Sequence, residues 1–298
     1  MKQFFLKHRK GILYALYGVL ITPLILFICF PSEVIGDFIQ SSVNSKNSGI
    51  IVTVQKASLS FPVGIKLAGV KCSVQRHPEE TVCAAEKIVI RPGIWSLFGK
   101  NPEFRFTSQA YGGTITGRIN LQKNGREAMF TLSTEFNDIH IDDKSSLPAI
   151  ITDYVAGNLK GAVTYSGVSL SDPNGTGEAA LSLSDGSIKF RGSLLNINAI
   201  DFKEALIKAD LKDQSLNISN IDFNGNDFLG EASGIINLKN PVEKSRINFK
   251  GAIEPTASFI KDSGKTGGAG LLLRQSLKNG KLPFTFNGTM ENINLRLM

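Results

Sequence analysis

Histidine and cysteine are scarce in this chain, three of each in 298 residues, and no His-x-x-His or Cys-x-x-Cys spacing brings any of them together. A zinc site built on closely spaced ligands is therefore without support. Asp138, His140 and Asp142 would share one side of an alternating strand, which makes a metal face conceivable, but the solvated side of that strand explains them more simply. A nucleotide loop is also missing: Gly264-Lys265-Thr266 imitates its end, yet Phe259 stands where the first glycine is required. No Gly-x-Ser-x-Gly elbow surrounds a candidate serine, and the many carboxylates are not localised into an acid and base pair. The expectation is a protein with no catalytic residues, no metal and no cofactor.

Charge of one sign is not concentrated either. The net +7 comes from 33 Lys and Arg against 26 Asp and Glu. Lys2, Lys7, Arg9 and Lys10 precede the first apolar run, which leaves 29 basic against 26 acidic residues, about +3, for everything after it. Those charges alternate in sign instead of forming a stripe, so nucleic acid is an unsuitable partner.

Only one long apolar run exists. Ile12 to Phe30 holds 19 residues without a charge, and as a helix it would reach about 28 Å, close to the hydrocarbon thickness of a bilayer. The basic residues before it would keep the N-terminus cytoplasmic. A signal peptide is the competitor, but Pro31-Ser32-Glu33 supplies no small-x-small cleavage site and the run is longer than an ordinary signal core. This reading divides the chain into a cytoplasmic basic tail at 1–11, a single transmembrane anchor at 12–30, a juxtamembrane helix and linker at 31–48, and an exported β-rich domain at 49–298 with repeated units.

The periodicities support that division. Val34, Ile35, Phe38 and Ile39 have helical spacing within 32–42. From Ile50 onward, β-branched residues and period-2 alternation dominate. Gly64 to Val74 and Thr81 to Arg91 read as strands joined through Arg76 to Glu80. Cys72 and Cys83 are equally distant from the turn centre, so the alternatives are a cross-strand disulfide and two unpaired thiols. Gly93 to Gly99 reads as a short helical turn, Pro148 to Val155 and Phe202 to Leu206 as helix candidates on propensity, Ser263 to Gly270 as a loop and Leu271 to Leu277 as a short element.

Repetition is the chief organising signal. Gly113-Thr-Ile-Thr-Gly117-Arg-Ile-Asn-Leu121 and Gly230-Glu-Ala-Ser-Gly234-Ile-Ile-Asn-Leu238 share Gly, Gly, Ile, Asn and Leu at the same offsets. The glycines suggest bulges or bends in a long sheet. Alternation places Ile115, Ile119 and Leu121 together, with Ile236 and Leu238 on the equivalent face, as candidates to line an apolar groove. Burial against another layer is the alternative.

The order of Leu59-Ser-Phe61-Pro62-Val-Gly64, Ala85-Glu-Lys-Ile88, Arg91-Pro92, Ser96-Leu97-Phe98-Gly99-Lys100, Ala110-Tyr111-Gly112-Gly113, Leu211-Lys-Asp213, Gly225-Asn-Asp227 and Gly234-Ile-Ile-Asn-Leu238 resembles type II secretion system protein N. That family looks related to the AsmA and TamB group. The resemblance implies a mainly β fold, with a transmembrane helix followed by an elongated, curled antiparallel sheet and a few short helices. It implies a bacterial inner-membrane protein whose main domain is periplasmic. Its partners would be other type II secretion system components, the inner membrane and a phospholipid or other lipid. Two functions follow from it: a structural accessory of the secretion apparatus, or a lipid-binding or lipid-transfer groove protein.

Overall fold

The computed structural model describes residues 31–46, 50–74, 77–124, 127–142, 152–168, 174–194, 197–239, 244–257, 259, 277–290 and 292–298, together with residues 11, 14, 17, 18, 21, 22 and 25. Among the described residues it holds the α-helix α1 (Ser32–Lys46) and one antiparallel sheet. The strands are β1 (Ile50–Leu59), β2 (Ile65–Val74), β3 (His77–Pro92), β4 (Glu103–Ala110), β5 (Gly113–Asn124), β6 (Glu127–Ile141) and β7 (Thr152–Gly167). They continue as β8 (Thr176–Leu194), β9 (Ile197–Lys212), β10 (Ser215–Gly225), β11 (Phe228–Asn237), β12 (Arg246–Pro255), β13 (Leu282–Thr289) and β14 (Ile293–Leu297). Each pairs only with its neighbours in sequence, so the sheet is a fourteen-stranded meander.

Tight turns set the pairing register. Tyr111 and Gly112, at φ 51° and 72°, form the two-residue link between β4 and β5, and Asp213 and Gln214, at 49° and 63°, do the same between β9 and β10. Positive φ at both central residues gives the turn whose twist matches the flanking strands. The repeat glycines have a different use from the one expected. At Gly117 the pairing with both neighbours is unbroken. A Cβ there would collide with the ring of Phe106, its partner on β4, and one at Gly234 would collide with Phe249 on β12. Both glycines make room for an aromatic ring lying across the strand. The irregularity nearest Gly234 lies in β10, between Ile218 and Ile221.

Helix α1 covers one end of the sheet. Ile35 and Ile39 pack on Ala57, Leu67 and Val70, and Gly36 lets the helix approach Ala57. The helix also occupies the free edge of β1 with side-chain amides. Asn44 accepts from Val52 N–H through Oδ1 at 2.8 Å and donates through Nδ2 to Val52 C=O at 3.2 Å, while Gln40 Oε1 accepts from Val54 N–H at 3.0 Å. These bonds occupy the edge groups of Val52 and Val54 and blunt that part of an edge that would otherwise recruit another chain.

Several expectations need correction. The basic tail at 1–11, Gly11 excepted, and most of the apolar run 12–30 lie outside the described residues; among those that are described, no helix is long and apolar enough to cross a membrane. The single-pass anchor is withdrawn on that finding, and with it the inner-membrane location, the periplasmic placement and the inner membrane as a partner. The sheet is neither curled nor closed: β1 and β14 remain its two edges. Besides α1, a 3-10 turn at Ser96–Phe98 lies within the stretch read as helical. Phe202 to Leu206 is strand, inside β9, and residues 152–155 open β7; residues 148–151 and the segments 263–270 and 271–276 lie outside the described residues.

Replacing Gln40 and Asn44 together by Ala should lower stability by about 1–3 kcal/mol, at the usual net worth of such bonds, and should increase self-association through the bared β1 edge. Urea unfolding and sedimentation velocity check this; an unchanged midpoint and unchanged association would contradict it.

Candidate functional site: a continuous apolar face

Residues directly opposite one another on antiparallel strands project from the same side of the sheet, so the register identifies the faces strand by strand. One row runs Ala57, Leu67, Ile88, Ser108, Ile115, Phe136, Gly161, Leu181, Ile207, Ile221, Ala232, Gly251, Phe284 and Leu297 from β1 to β14. Parallel rows on the same side add Phe104, Phe106 and Ile119, then Leu132, Tyr165 and Gly177, then Phe223, Gly230 and Ile253. Among the described residues this face carries no charged side chain between β1 and β14. Ser108 and Thr134 are its polar exceptions besides the Tyr165 hydroxyl and the cysteine thiols, and both are buried. The opposite face is polar, as in Arg246, Asn248, Lys250 and Glu254 of β12, and carries the Lys160–Asp138 pair at 2.9 Å and the Lys281–Glu231 pair at 2.8 Å.

Strict alternation alone would not keep the apolar residues together. The register slips between Phe136 and Ile139 in β6, with Asp138 at φ 53°, and Asp185 of β8 has φ 49°. Phe136 and Ile139, Leu183 and Gly186, and Phe202 and Ala205 are each three apart, yet each pair stays on the apolar side. At these positions the strand spends one extra residue, the hallmark of a bulge. Around the bulges Ile139, Ile141, Leu183, Phe202 and Ala205 form the tightest packed part of the face, bordered by Tyr111, Ile115, Val155 and Phe223. Phe202 and Phe223 lie 5.3 Å apart, centroid to centroid.

Elsewhere burial is uneven: Ala57 and Leu67 at the β1 end and Phe228, Ile247, Leu282 and Phe284 on β11–β13 are also buried, while other positions are partly open. Leu121 is 37% exposed and Leu297 40%. Among the described residues no second sheet lies over it, and α1 covers only the β1 end. Past the ends of β1 and β3, Phe61, Trp95 and Phe98 are each at least 85% exposed.

The sequence-derived candidates fall as follows. Ile115, Ile119 and Leu121 lie on the apolar face of β5, and Ile236 lies on the same face of β11, opposite Leu216 and Ile247. The two groups are separated by five strands, so they belong to one surface without touching. Leu238 lies just past β11, its N–H donating to Gln214 C=O at 2.7 Å. Cys72 and Cys83 are direct partners across β2 and β3 and are both free thiols. Asp138 is engaged by Lys160, and His140 Nδ1 lies 3.0 Å from Asn158 Oδ1. The glycine repeat pointed to only two of the fourteen strands; the larger signal was an apolar residue at alternate positions in every segment from β1 to β14. A depression of about 300 Å³ is lined mainly by polar-face residues, among them Asp222, Glu231, Glu254 and Lys281, with Phe223 and Gly230 also at its wall.

No family model, curated protein or solved structure matches the chain. The resemblance to type II secretion system protein N therefore gains no support from relatives, and the role as an accessory of that apparatus, with its other components as partners, is withdrawn.

The packed and open parts of the face should differ in energetic weight. Phe202→Ala should cost about 3–5 kcal/mol and Leu121→Ala no more than about 1 kcal/mol. Urea unfolding of the two variants checks this, and equal losses would contradict the distinction.

Proposed function

We propose that this chain is a non-catalytic carrier that holds long hydrocarbon chains, of the kind found in lipids, along the apolar face of its sheet. The observation that carries the reading is the unbroken row from Ala57 to Leu297, apolar or glycine at every strand except Ser108. Fourteen strands at about 4.8 Å spacing extend that surface over roughly 60 Å. A continuous apolar face of this extent, left partly accessible at positions such as Leu121 and Leu297, has an interaction as its ordinary reason for existing.

The chemistry of the face selects the occupant. It offers almost no hydrogen-bond donors or acceptors, so a peptide strand laid on it would leave its own amides unpaired. A hydrocarbon chain has no such demand and gains from every CH₂ removed from water. Ring surfaces and glycine gaps give a relief of low and high points without polar anchors, which suits flexible chains better than a rigid polar molecule. Of the two functions that the sequence resemblance implied, this is the lipid-binding one, and it needs neither a membrane anchor nor a secretion apparatus.

The reading predicts affinity that rises with chain length, by at most about fourfold per added CH₂. Titration of the purified chain with saturated fatty acids of increasing length, by displacement of a fluorescent fatty acid, measures it. Ile119→Asp should weaken binding while leaving the fold intact, and Asn248→Asp, on the polar face, should not. Binding that ignores chain length, or equal losses in the two variants, would contradict the carrier. Ile119→Asp that unfolds the domain would instead place this residue in a packed interior.

A further inference from the structure

Cys72 and Cys83 have a geometry that the carrier role does not use. They oppose each other directly in the β2–β3 ladder, on the same side as Val52 and Val70, and the ladder slips immediately beyond them, between Cys72 and Ser73 and again before Val74. Directly opposed positions fall within the Cα separation that a disulfide spans. The other edge of β3 is open at this level, because β4 pairs with it only from Lys87 onward; Ala84 N–H donates to the Tyr111 hydroxyl at 2.9 Å instead. Cys83 is accordingly exposed and Cys72 half-buried.

The two sulfurs are hydrogen-bonded and unequal. With Cys83 S–H donating, the Cys72 thiol is drawn down to about 7, while the same bond, together with burial, pushes Cys83 up. A thiol near neutrality beside a protonated partner is the arrangement in which one sulfur attacks and the other resolves.

We propose that Cys72 and Cys83 are a redox-active dithiol that exchanges with low-molecular-weight disulfides. In the first step the thiolate of one of the two attacks one sulfur of R–S–S–R, that bond breaks, and RS⁻ leaves. In the second, the other cysteine gives up its proton and attacks the cysteine sulfur of the mixed disulfide, expelling the second RS⁻. Both thiolates leave as RSH, carrying the two thiol protons. The small disulfide is reduced and the pair is oxidised to a Cys72–Cys83 bond. Closure fixes β2 on β3 where their register slips.

The test uses the full chain with Cys29→Ser, reduced and then exposed to oxidised glutathione. Thiol counting and non-reducing peptide mapping should show both thiols lost and one peptide joining Cys72 to Cys83, with no glutathione retained. In Cys83→Ala and in Cys72→Ala, neither of which can resolve, glutathione should remain on the cysteine that is left. Two thiols that persist, or glutathione that stays on the chain with both cysteines intact, would overturn the assignment. A chain that forms the bond yet binds no fatty acid would overturn the carrier and leave the dithiol standing.

Discussion

The structure depends on cross-strand register. In a meander each strand is held only by the strands before and after it, so the position of any side chain is fixed by pairing inherited from a neighbour. A slip of one residue would turn a strand's apolar set toward the polar side. Two-residue turns with positive φ at Tyr111-Gly112 and Asp213-Gln214 prevent slippage at the hairpins. The bulges around Asp138 and Asp185 work within the strands, absorbing one residue so that Phe136 and Ile139, or Leu183 and Gly186, remain on one side. The apolar face is the product of both devices.

An open sheet must then deal with its edges and with its apolar side. The β1 edge is capped at Val52 and Val54 by Asn44 and Gln40 of α1, which supply hydrogen bonds of the kind a further strand would make there. The apolar side is treated unevenly. It is densely packed around Phe202 and Ile139 and left accessible near Leu121 and Leu297. The packed clusters give the sheet stability, and the partly accessible positions between and beside them leave surface for an elongated apolar molecule. The polar side takes no part in this, since its ion pairs are exposed and add little to stability.

Much of this architecture was legible in residue order. Alternation from Ile50 onward identified the β-rich domain, the spacing of Val34, Ile35, Phe38 and Ile39 identified α1, and the candidates Ile115, Ile119, Leu121 and Ile236 are on one face in the structure. What was not legible has physical causes. Helix propensity at Phe202 to Leu206 was misleading because Lys, Glu, Ala and Leu sit in a strand whose bulge spaces Phe202 and Ala205 by three. The glycines of the repeat signalled bends, whereas at Gly117 and Gly234 they accommodate Phe106 and Phe249, partners distant in sequence that no local pattern reveals. The apolar run at 12–30 promised an anchor, and no membrane-crossing helix exists among the described residues. Whether an apolar strand face is covered by another layer is likewise a property of topology, which alternation cannot report.

The central claim is that one face of the sheet, across many strands, receives hydrocarbon. Photocrosslinking with a diazirine-bearing fatty acid, followed by peptide mapping of the adducts, tests it most directly. The account predicts adducts on Ile119, Val163, Ile207 and Phe249, on four different strands and a single face. Adducts distributed equally onto Arg118, Thr164, Lys208 and Asn248, their neighbours on the polar side, would contradict it.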